Sequence, residues 1–284
     1  MKVYIAISKI VSSNTIGLLQ ETGFEVDYNK NGNELPPEQL SNLIKDADGV
    51  LAGTEYYTSE VLSKCSKLKC ISRIGESSKN IDLDYSKKNG IVIATVSPDI
   101  RAKYVAEMTV AALFSLYYDI TSKHKLKTKS IRNSTILIIG YNQLSLRIID
   151  LLECFNVNVK IFDKGKDVPF KYYCSIRKEI VRSEAIIITS KIKDVLHDVN
   201  VFDDVKKGII ILDVPGNSQI SENISKIMAR GALSTYWTTS ENESLTAASG
   251  NGMLTPYSNF QSTQFLEEFE EIAVTNLISI LKSD

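Results

Sequence analysis

The sequence predicts an α/β protein made of two doubly wound parallel-sheet domains. Short apolar runs alternate with amphipathic helical stretches, a pattern typical of parallel strands joined by crossover helices. The length of 284 residues suits two domains that each bury a core. A second series of strands opens at Ser134, after a long helix and a basic, polar connector at residues 121–132.

The elements of the first domain follow from its apolar pattern. Pro36-Pro37 indicates a turn with proline in the first helical turn. Strands are expected at residues 3–7, 25–28, 49–52, 70–73 and 91–94, with helices at 15–22, 37–46 and 59–65.

The second domain repeats this alternation. A helix from about residue 102 to residue 118 is expected because Val105, Met108, Ala112 and Leu116 share one face. Strands are expected at 135–139, 158–162, 185–189 and 209–212, and a last helix at 264–281.

Composition limits the classes of function. The hydrophobic and charged contents, 43% and 24%, are those of a globular protein in water. A net charge of −1 predicts no nucleic-acid partner, and no apolar run is long enough for a membrane span. The four cysteines lack the spacing of a disulfide framework or a metal site, so we expect no metal and a cytoplasmic location.

Three segments, residues 72–82, 89–93 and 105–109, resemble the D-isomer-specific 2-hydroxyacid dehydrogenases, in particular the phosphoglycerate dehydrogenases. The resemblance implies a flavodoxin-like substrate lobe of residues 1–97 plus 258–284. It also implies an inserted Rossmann NAD-binding lobe of residues 98–257. A cleft between the lobes would take a small molecule or a dinucleotide. The family forms dimers near the connector, which is shorter here, so a homodimer is left open.

The dinucleotide fingerprint of that fold, Gly-x-Gly-x-x-Gly, is only partly present in residues 135–145. Gly140 keeps the first glycine, whereas Asn142 and Ser145 replace the other two. Asn142 tolerates a left-handed conformation, but its side chain occupies space that a pyrophosphate would approach. The candidate cofactor-binding residues are Gly140, Asn142, Gln143, Leu144, Ser145 and Asp163.

Asp163 ends the next predicted strand, where the resemblance implies an acceptor for the ribose hydroxyls of NAD. This favours NAD over NADP, although Lys164 and Lys166 could meet a 2′-phosphate. In the alternative interpretation, Asp163 only caps the turn after the strand. NAD binding and its loss are left as about equal alternatives.

The catalytic residues implied by the resemblance are replaced. Gly216 stands at the arginine position, and Tyr257 stands at the histidine position of the Thr-Pro-His motif. Glu241 and Glu243 do not match the glutamate position. The only histidines, His124 and His197, lie far from this motif in the sequence and are expected to be surface residues.

The loop that holds the substrate carboxylate in the resembled family is also altered. Gly75 keeps the first glycine of this loop, and Ser77 replaces the second. The carboxylate of Glu76 would repel an anionic substrate, and Lys79 would partly offset it.

Two main functions therefore remain open. One is a non-catalytic descendant of the family that acts as a sensor, binding module or docked subunit. The other is an active NAD(P)-dependent oxidoreductase that uses Tyr257 as the acid and Arg101 or Lys103 as cations in the cleft. In the simpler interpretation, Tyr257 fills the volume of the histidine and Arg101 is solvated. We predict little or no turnover of 3-phosphoglycerate or lactate-sized acids.

Overall fold

The chain forms two compact units in the computed structural model. Unit 1 comprises Met1–Ile100 and Ser262–Asp284, and unit 2, inserted between these segments, comprises Arg101–Gln261. The described residues are 1–7, 12–120, 130–165, 167–169, 175–190, 201–216, 221–239, 252–254 and 262–283. Among them, no helix is both long and apolar enough to cross a membrane.

Unit 1 is built on a five-stranded parallel sheet of order β2-β1-β3-β4-β5. This is the flavodoxin-like order. The strands are β1 Lys2–Ile5, β2 Glu25–Tyr28, β3 Gly49–Ala52, β4 Cys70–Arg73 and β5 Val92–Ala94. Its helices are α1 Ser13–Glu21, α2 Pro37–Ile44, α3 Ser59–Leu62, α4 Leu83–Lys88 and α9 Thr263–Lys282.

The helix α9, which comes last in the sequence, packs on the sheet of unit 1. Ser72 Oγ on β4 donates to the carbonyl of Ala273 at 2.7 Å, and both partners are buried. A Cβ on Gly49 would lie 2.7 Å from Leu281 Cδ1 and 3.0 Å from Leu277 Cδ1. These leucine side chains of α9 would have to shift to admit a larger residue on β3, because α9 approaches the strand closely at Gly49.

Unit 2 contains a six-stranded sheet of order β11-β10-β9-β8-β6-β7 with every neighbouring pair parallel. The strands are β6 Thr135–Ile139, β7 Asn158–Phe162, β8 Ala185–Ile188, β9 Ile209–Asp213, β10 Leu233–Thr238 and β11 Gly252–Leu254. The helices are α6 Gln143–Glu153, α7 Ile176–Ile180, α8 Ser221–Ala229 and α5 Pro98–Tyr118, whose first turn belongs to unit 1.

The central strands of unit 2 are buried on both faces. Ile136, Ile138 and Ile187 point into one apolar cluster, which also contains Trp237. Leu137 and the residues that alternate with this first set point into a second cluster on the opposite face. Continuous apolar strands of this kind require helices on both sides of the sheet. The prediction of two doubly wound α/β sheets is therefore confirmed.

The strand order of unit 2 places β6 between β7 and β8. The chain goes from β6 to β7 on one side and then continues to β8 on the other, which makes β6 and β8 the topological switch point. The usual Rossmann order has one more strand outside β7. The connection between β7 and α7 includes residues 166 and 170–174, which lie outside the described residues.

Candidate dinucleotide site in unit 2

The turn after β6 is built on Gly140, which has a φ of 114°. A Cβ on this residue would lie 2.5 Å from Ser190 Oγ and 2.6 Å from Thr189 Oγ1. Both the backbone conformation and the space therefore require glycine. The first glycine of the fingerprint keeps its structural role in the tight turn.

Asn142 caps the helix α6 that follows. Its Oδ1 accepts from Ser145 N at 3.0 Å, while Ser145 Oγ accepts from Asn142 N at 2.9 Å, which forms a reciprocal capping box. The φ and ψ of Asn142 are −157° and −178°, so the backbone is extended. Asn142 does not use the left-handed conformation that its residue type tolerates, because a side-chain cap requires an extended backbone at this position.

The side-chain amide of Asn142 makes a second set of contacts, which we call the Asn142 bridge. Asn142 Nδ2 donates to the carbonyl of Thr189 at 3.0 Å and to Ser190 Oγ at 2.8 Å. Thr189 Oγ1 in turn donates to the carbonyl of Gly140 at 3.1 Å. The bridge ties the end of β8 to the turn after β6.

Sequence reasoning missed Thr189 and Ser190 as site residues. The available signal was their place directly after a strand that neighbours β6 in a parallel sheet. Ile139 and Ile188 are partners in the register, so the residues that follow them meet at the same edge.

Two amides at the start of α6 are available for a ligand. Ser145, at the third glycine position, is fully buried, and its N–H is used by the cap. Among the described residues, none accepts a hydrogen bond from the amides of Gln143 and Leu144, the first two residues of α6. Such amides, at the positive end of a helix, are suited to an anion.

Asp163 lies beside this turn at the end of β7. Its Oδ2 accepts from Tyr141 N at 2.8 Å, and its Oδ1 accepts from Gly165 N at 2.9 Å. The local capping contacts of the alternative interpretation are thus present. An ionised carboxylate has about four lone-pair sites, so both oxygens can still accept from a ribose hydroxyl.

Gly216, the residue predicted from the sequence to stand at the arginine position, lies in the segment after β9. Gly216 has a φ of 65°, and its N–H donates to the carbonyl of Asp213 at 3.4 Å. Asp213 is fully buried, and its Oδ2 accepts from the hydroxyl of Tyr236 at 3.1 Å. Burial, and next the charge of Asp213, raise the pKa of Tyr236 well above its usual range. This buried carboxylate was not among the site residues predicted from the sequence.

In unit 1, the loop after β4 contains a polar cluster. A Cβ on Gly75 would overlap Arg73 Nη1, so the guanidinium lies directly over this glycine. Arg73 Nε donates to Asn80 Oδ1 at 3.0 Å, and Asn80 Nδ2 donates to the carbonyl of Glu55 at 2.6 Å. The Glu55 side chain is buried, and its Oε2 accepts from Gly53 N at 2.9 Å. Neither Arg73 nor Asn80 was predicted from the sequence as a site residue.

The other residues of this loop are closer to solvent. Glu76 is half-buried, and Ser77 is exposed with its Oγ accepting from Lys79 N at 3.3 Å. The serine at the second glycine position therefore stabilises its own loop. Within the described ranges, no group of His, Cys, Asp or Glu side chains could hold a metal ion.

Arg101 and Lys103 lie near the start of α5, in unit 2. Arg101 is half-buried, and the exposed Lys103 places its Nζ 5.0 Å from the centre of the Tyr104 ring. The remaining candidates lie outside the described residues: Tyr257, Glu241, Glu243, His124, His197 and Lys166.

Comparison with known proteins identifies related sequences and structures. The family model for the D-isomer specific 2-hydroxyacid dehydrogenase, catalytic domain, matches residues 5–284. D-3-phosphoglycerate dehydrogenase 1 of Saccharomyces cerevisiae is 29% identical over 166 residues, which are 54% of this chain and 34% of the yeast protein. Three curated relatives are matched over 34%, 60% and 36% of their own lengths, so this chain spans less than two thirds of each.

Solved structures show the same fold over the whole chain. D-lactate dehydrogenase of Lactobacillus jensenii with NAD⁺ has a TM-score of 0.79 at 17% identity, over 100% of this chain and 98% of that chain. The NAD⁺-bound 3-phosphoglycerate dehydrogenase of Entamoeba histolytica has a TM-score of 0.72 at 18% identity, over 99% and 95%.

Proposed function

This chain belongs to the D-isomer specific 2-hydroxyacid dehydrogenase family, and from that membership we propose that it binds NAD in unit 2 without the hydride transfer of its relatives. The turn between β6 and α6 carries the proposal. Its capping box uses the amides of Asn142 and Ser145 and leaves those of Gln143 and Leu144 for a ligand.

The side chain of Asn142 was expected to occupy space that a pyrophosphate would approach, but it is held by the capping box and by the Asn142 bridge. The amides of Gln143 and Leu144 therefore remain to hold the diphosphate of a dinucleotide. A helix N-terminus stabilises phosphate through its amides and through the helix dipole, and α6 is 11 residues long. Gln143 N and Leu144 N would hold the diphosphate, and Asp163 would accept from the hydroxyls of the adenosine ribose. Bound in this way, NAD would supply the acceptor for a hydride.

Asp163 supports a preference for NAD over NADP. Its carboxylate would repel a 2′-phosphate, whereas it would accept a hydrogen bond from a 2′-hydroxyl. The exposed Lys164 follows directly and brings a positive charge to the same turn. Because this charge offsets part of the repulsion, we expect a preference for NAD of about tenfold.

The replacement of the arginine that the sequence comparison predicts supports the non-catalytic half of the proposal. Gly216 stands at the arginine position, and glycine has no side chain to fix a substrate carboxylate. In the sequence, Tyr257 stands where the family has its histidine. An ordinary phenol titrates near pH 10, far from the neutral range in which an imidazole exchanges protons.

A second candidate is an active oxidoreductase for a 2-hydroxy or 2-oxo acid that uses other residues. Arg73 favours it, because its guanidinium lies over Gly75, in the loop that carries the substrate carboxylate in relatives. An arginine fork can bind both oxygens of a carboxylate. This candidate predicts NAD-dependent turnover that is lost in Arg73→Lys, because a lysine cannot reproduce the fork.

Calorimetric titration of NADH and then NADPH into the purified protein tests the proposal. We expect micromolar binding of NADH and a loss of about tenfold in Asp163→Ala, because the ribose acceptor is removed. Asp167→Ala is the matched control, since this exposed carboxylate belongs to the same connection but not to the site. The absence of binding at millimolar NADH would overturn the cofactor half. Robust oxidation of 3-phosphoglycerate or lactate would overturn the non-catalytic half and support the second candidate.

A further inference from the structure

The crevice at the switch point is where a dinucleotide crosses a doubly wound sheet. One mononucleotide half lies on each side of this point, outside the carboxyl ends of the strands. In unit 2 the point lies between β6 and β8. Asp163 and β7 lie on one side of β6, and β8 and β9 lie on the other.

The side chain of Asn142 links the two strands at the switch point. Asn142 Nδ2 spans it by donating to both the Thr189 carbonyl and Ser190 Oγ, at 3.0 and 2.8 Å. Ser190 Oγ and Thr189 Oγ1 also lie so close to Gly140 that a methyl group on this residue would not fit. The end of β8 is therefore in close contact with the turn after β6.

The two halves of a dinucleotide would meet different surroundings. The adenosine half would use the amides of Gln143 and Leu144 and the carboxylate of Asp163, none of which takes part in the Asn142 bridge. The nicotinamide half would have to cross toward β8, the strand whose end is bonded to Asn142. If the two hydrogen bonds of the bridge lie in its path, they would have to break before that half could bind.

We propose that Asn142 determines specificity at this site by excluding the nicotinamide half, so that the ligand recognised is the adenosine diphosphate moiety. The inference rests on the proposed adenine-dinucleotide site and names the part of the ligand that supplies the affinity. NAD then binds through its adenosine diphosphate half, and ADP itself binds at least as tightly.

The two functions of Asn142 use different atoms, which allows a specific test. Oδ1 caps α6, and Nδ2 forms the bridge. Asn142→Gly removes both, but its extended backbone suits glycine, and glycine costs little at a helix cap. Ser190→Ala removes one acceptor of the bridge and leaves the cap intact. Ser262→Gly is the control, because it removes a comparable cap from α9 in unit 1.

The experiment is calorimetric titration of ADP and of NADH into the wild type and the three variants, with the thermal midpoint of each as the check of folding. The readout is the ratio of NADH affinity to ADP affinity. A change in the turn that affects the binding of both ligands equally leaves this ratio unchanged. We expect the ratio to be about one or less in the wild type and to rise about tenfold or more in Asn142→Gly. Ser190→Ala should raise it less, and Ser262→Gly should leave it unchanged.

Two results would overturn this inference and leave the proposed function intact. One is wild-type binding of NADH about tenfold tighter than that of ADP, and the other is an unchanged ratio in both folded variants of the bridge. If neither ADP nor NADH binds at millimolar concentration, the proposed function itself fails, and the inference fails with it.

Discussion

Replacing Gly140 by alanine is expected to destabilise unit 2 by about 2–5 kcal/mol. The φ of 114° is unfavourable for any L side chain and contributes about 1–2 kcal/mol. The added methyl group would also lie 2.5 and 2.8 Å from Ser190 Oγ and Cβ, and 2.6 Å from Thr189 Oγ1. Overpacking of this kind typically costs about 1–3 kcal/mol more.

Urea unfolding followed by tryptophan fluorescence measures this change. Trp237 is the only tryptophan of the chain, and it is 1% exposed in the core of unit 2, so its emission follows this unit. Gly208→Ala is the matched control because Gly208, also in unit 2, has a φ of 85° and no heavy atom within 4 Å of a Cβ. It should show the conformational cost alone, about 1–2 kcal/mol.

The double variant Gly140→Ala/Ser190→Gly separates the two contributions further. It removes the Ser190 side chain, whose Oγ and Cβ are two of the three atoms nearest to the new methyl group, and should recover part of the lost free energy of unfolding. The reasoning would be refuted if Gly140→Ala cost no more than Gly208→Ala. In that case the end of β8 would not be in close contact with the turn.

Three further predictions concern buried polar groups. Burial raises the pKa of Cys70 from 9.0 to about 12, so above pH 9 the unfolded thiol ionises first and the free energy of unfolding falls, by up to about 1.4 kcal/mol per pH unit. Urea titrations between pH 8 and pH 11 should show that the free energy of unfolding falls less steeply with pH in Cys70→Ala than in the wild type. An unchanged slope would mean that the Cys70 thiol does not cause this pH dependence. Tyr236→Phe should cost about 1–3 kcal/mol by the fluorescence assay, because Asp213 loses a buried donor; a cost near zero would mean that this hydrogen bond contributes nothing. Ser72→Ala should cost about 1 kcal/mol by circular dichroism and should increase hydrogen exchange in α9, where it donates to Ala273; unchanged exchange would argue against this anchor.

The central strands could be predicted from the sequence, because strands that are buried on both faces consist almost entirely of apolar residues. Residues 135–139 and 185–188 are almost entirely apolar, as strands covered on both faces must be. The strand β10 was not predicted. Its polar residues Ser234 and Thr235 interrupt the apolar pattern, and tertiary packing of Tyr236 and Trp237 decides its conformation.

The candidate site was predicted only where a single segment determines it. The turn at Gly140 and the end of β7 at Asp163 could be identified from strand ends and spacing. The Asn142 bridge was missed, because its acceptors Thr189 and Ser190 are more than 40 residues away in the sequence. Only the pairing of β6 with β8 brings these residues together.

Unit 1 consists of two segments that are far apart in the sequence, and this has a consequence for its folding during synthesis on the ribosome. Its sheet emerges first, but α9, which supplies Leu277 and Leu281 against Gly49, emerges after all of unit 2. At about 5–20 residues per second, translation of the intervening segment takes on the order of 10 s. During that interval the face of β3 and β4 has no helix to cover it, so chaperones that recognise apolar surfaces would meet this unit while unit 2 is already able to fold.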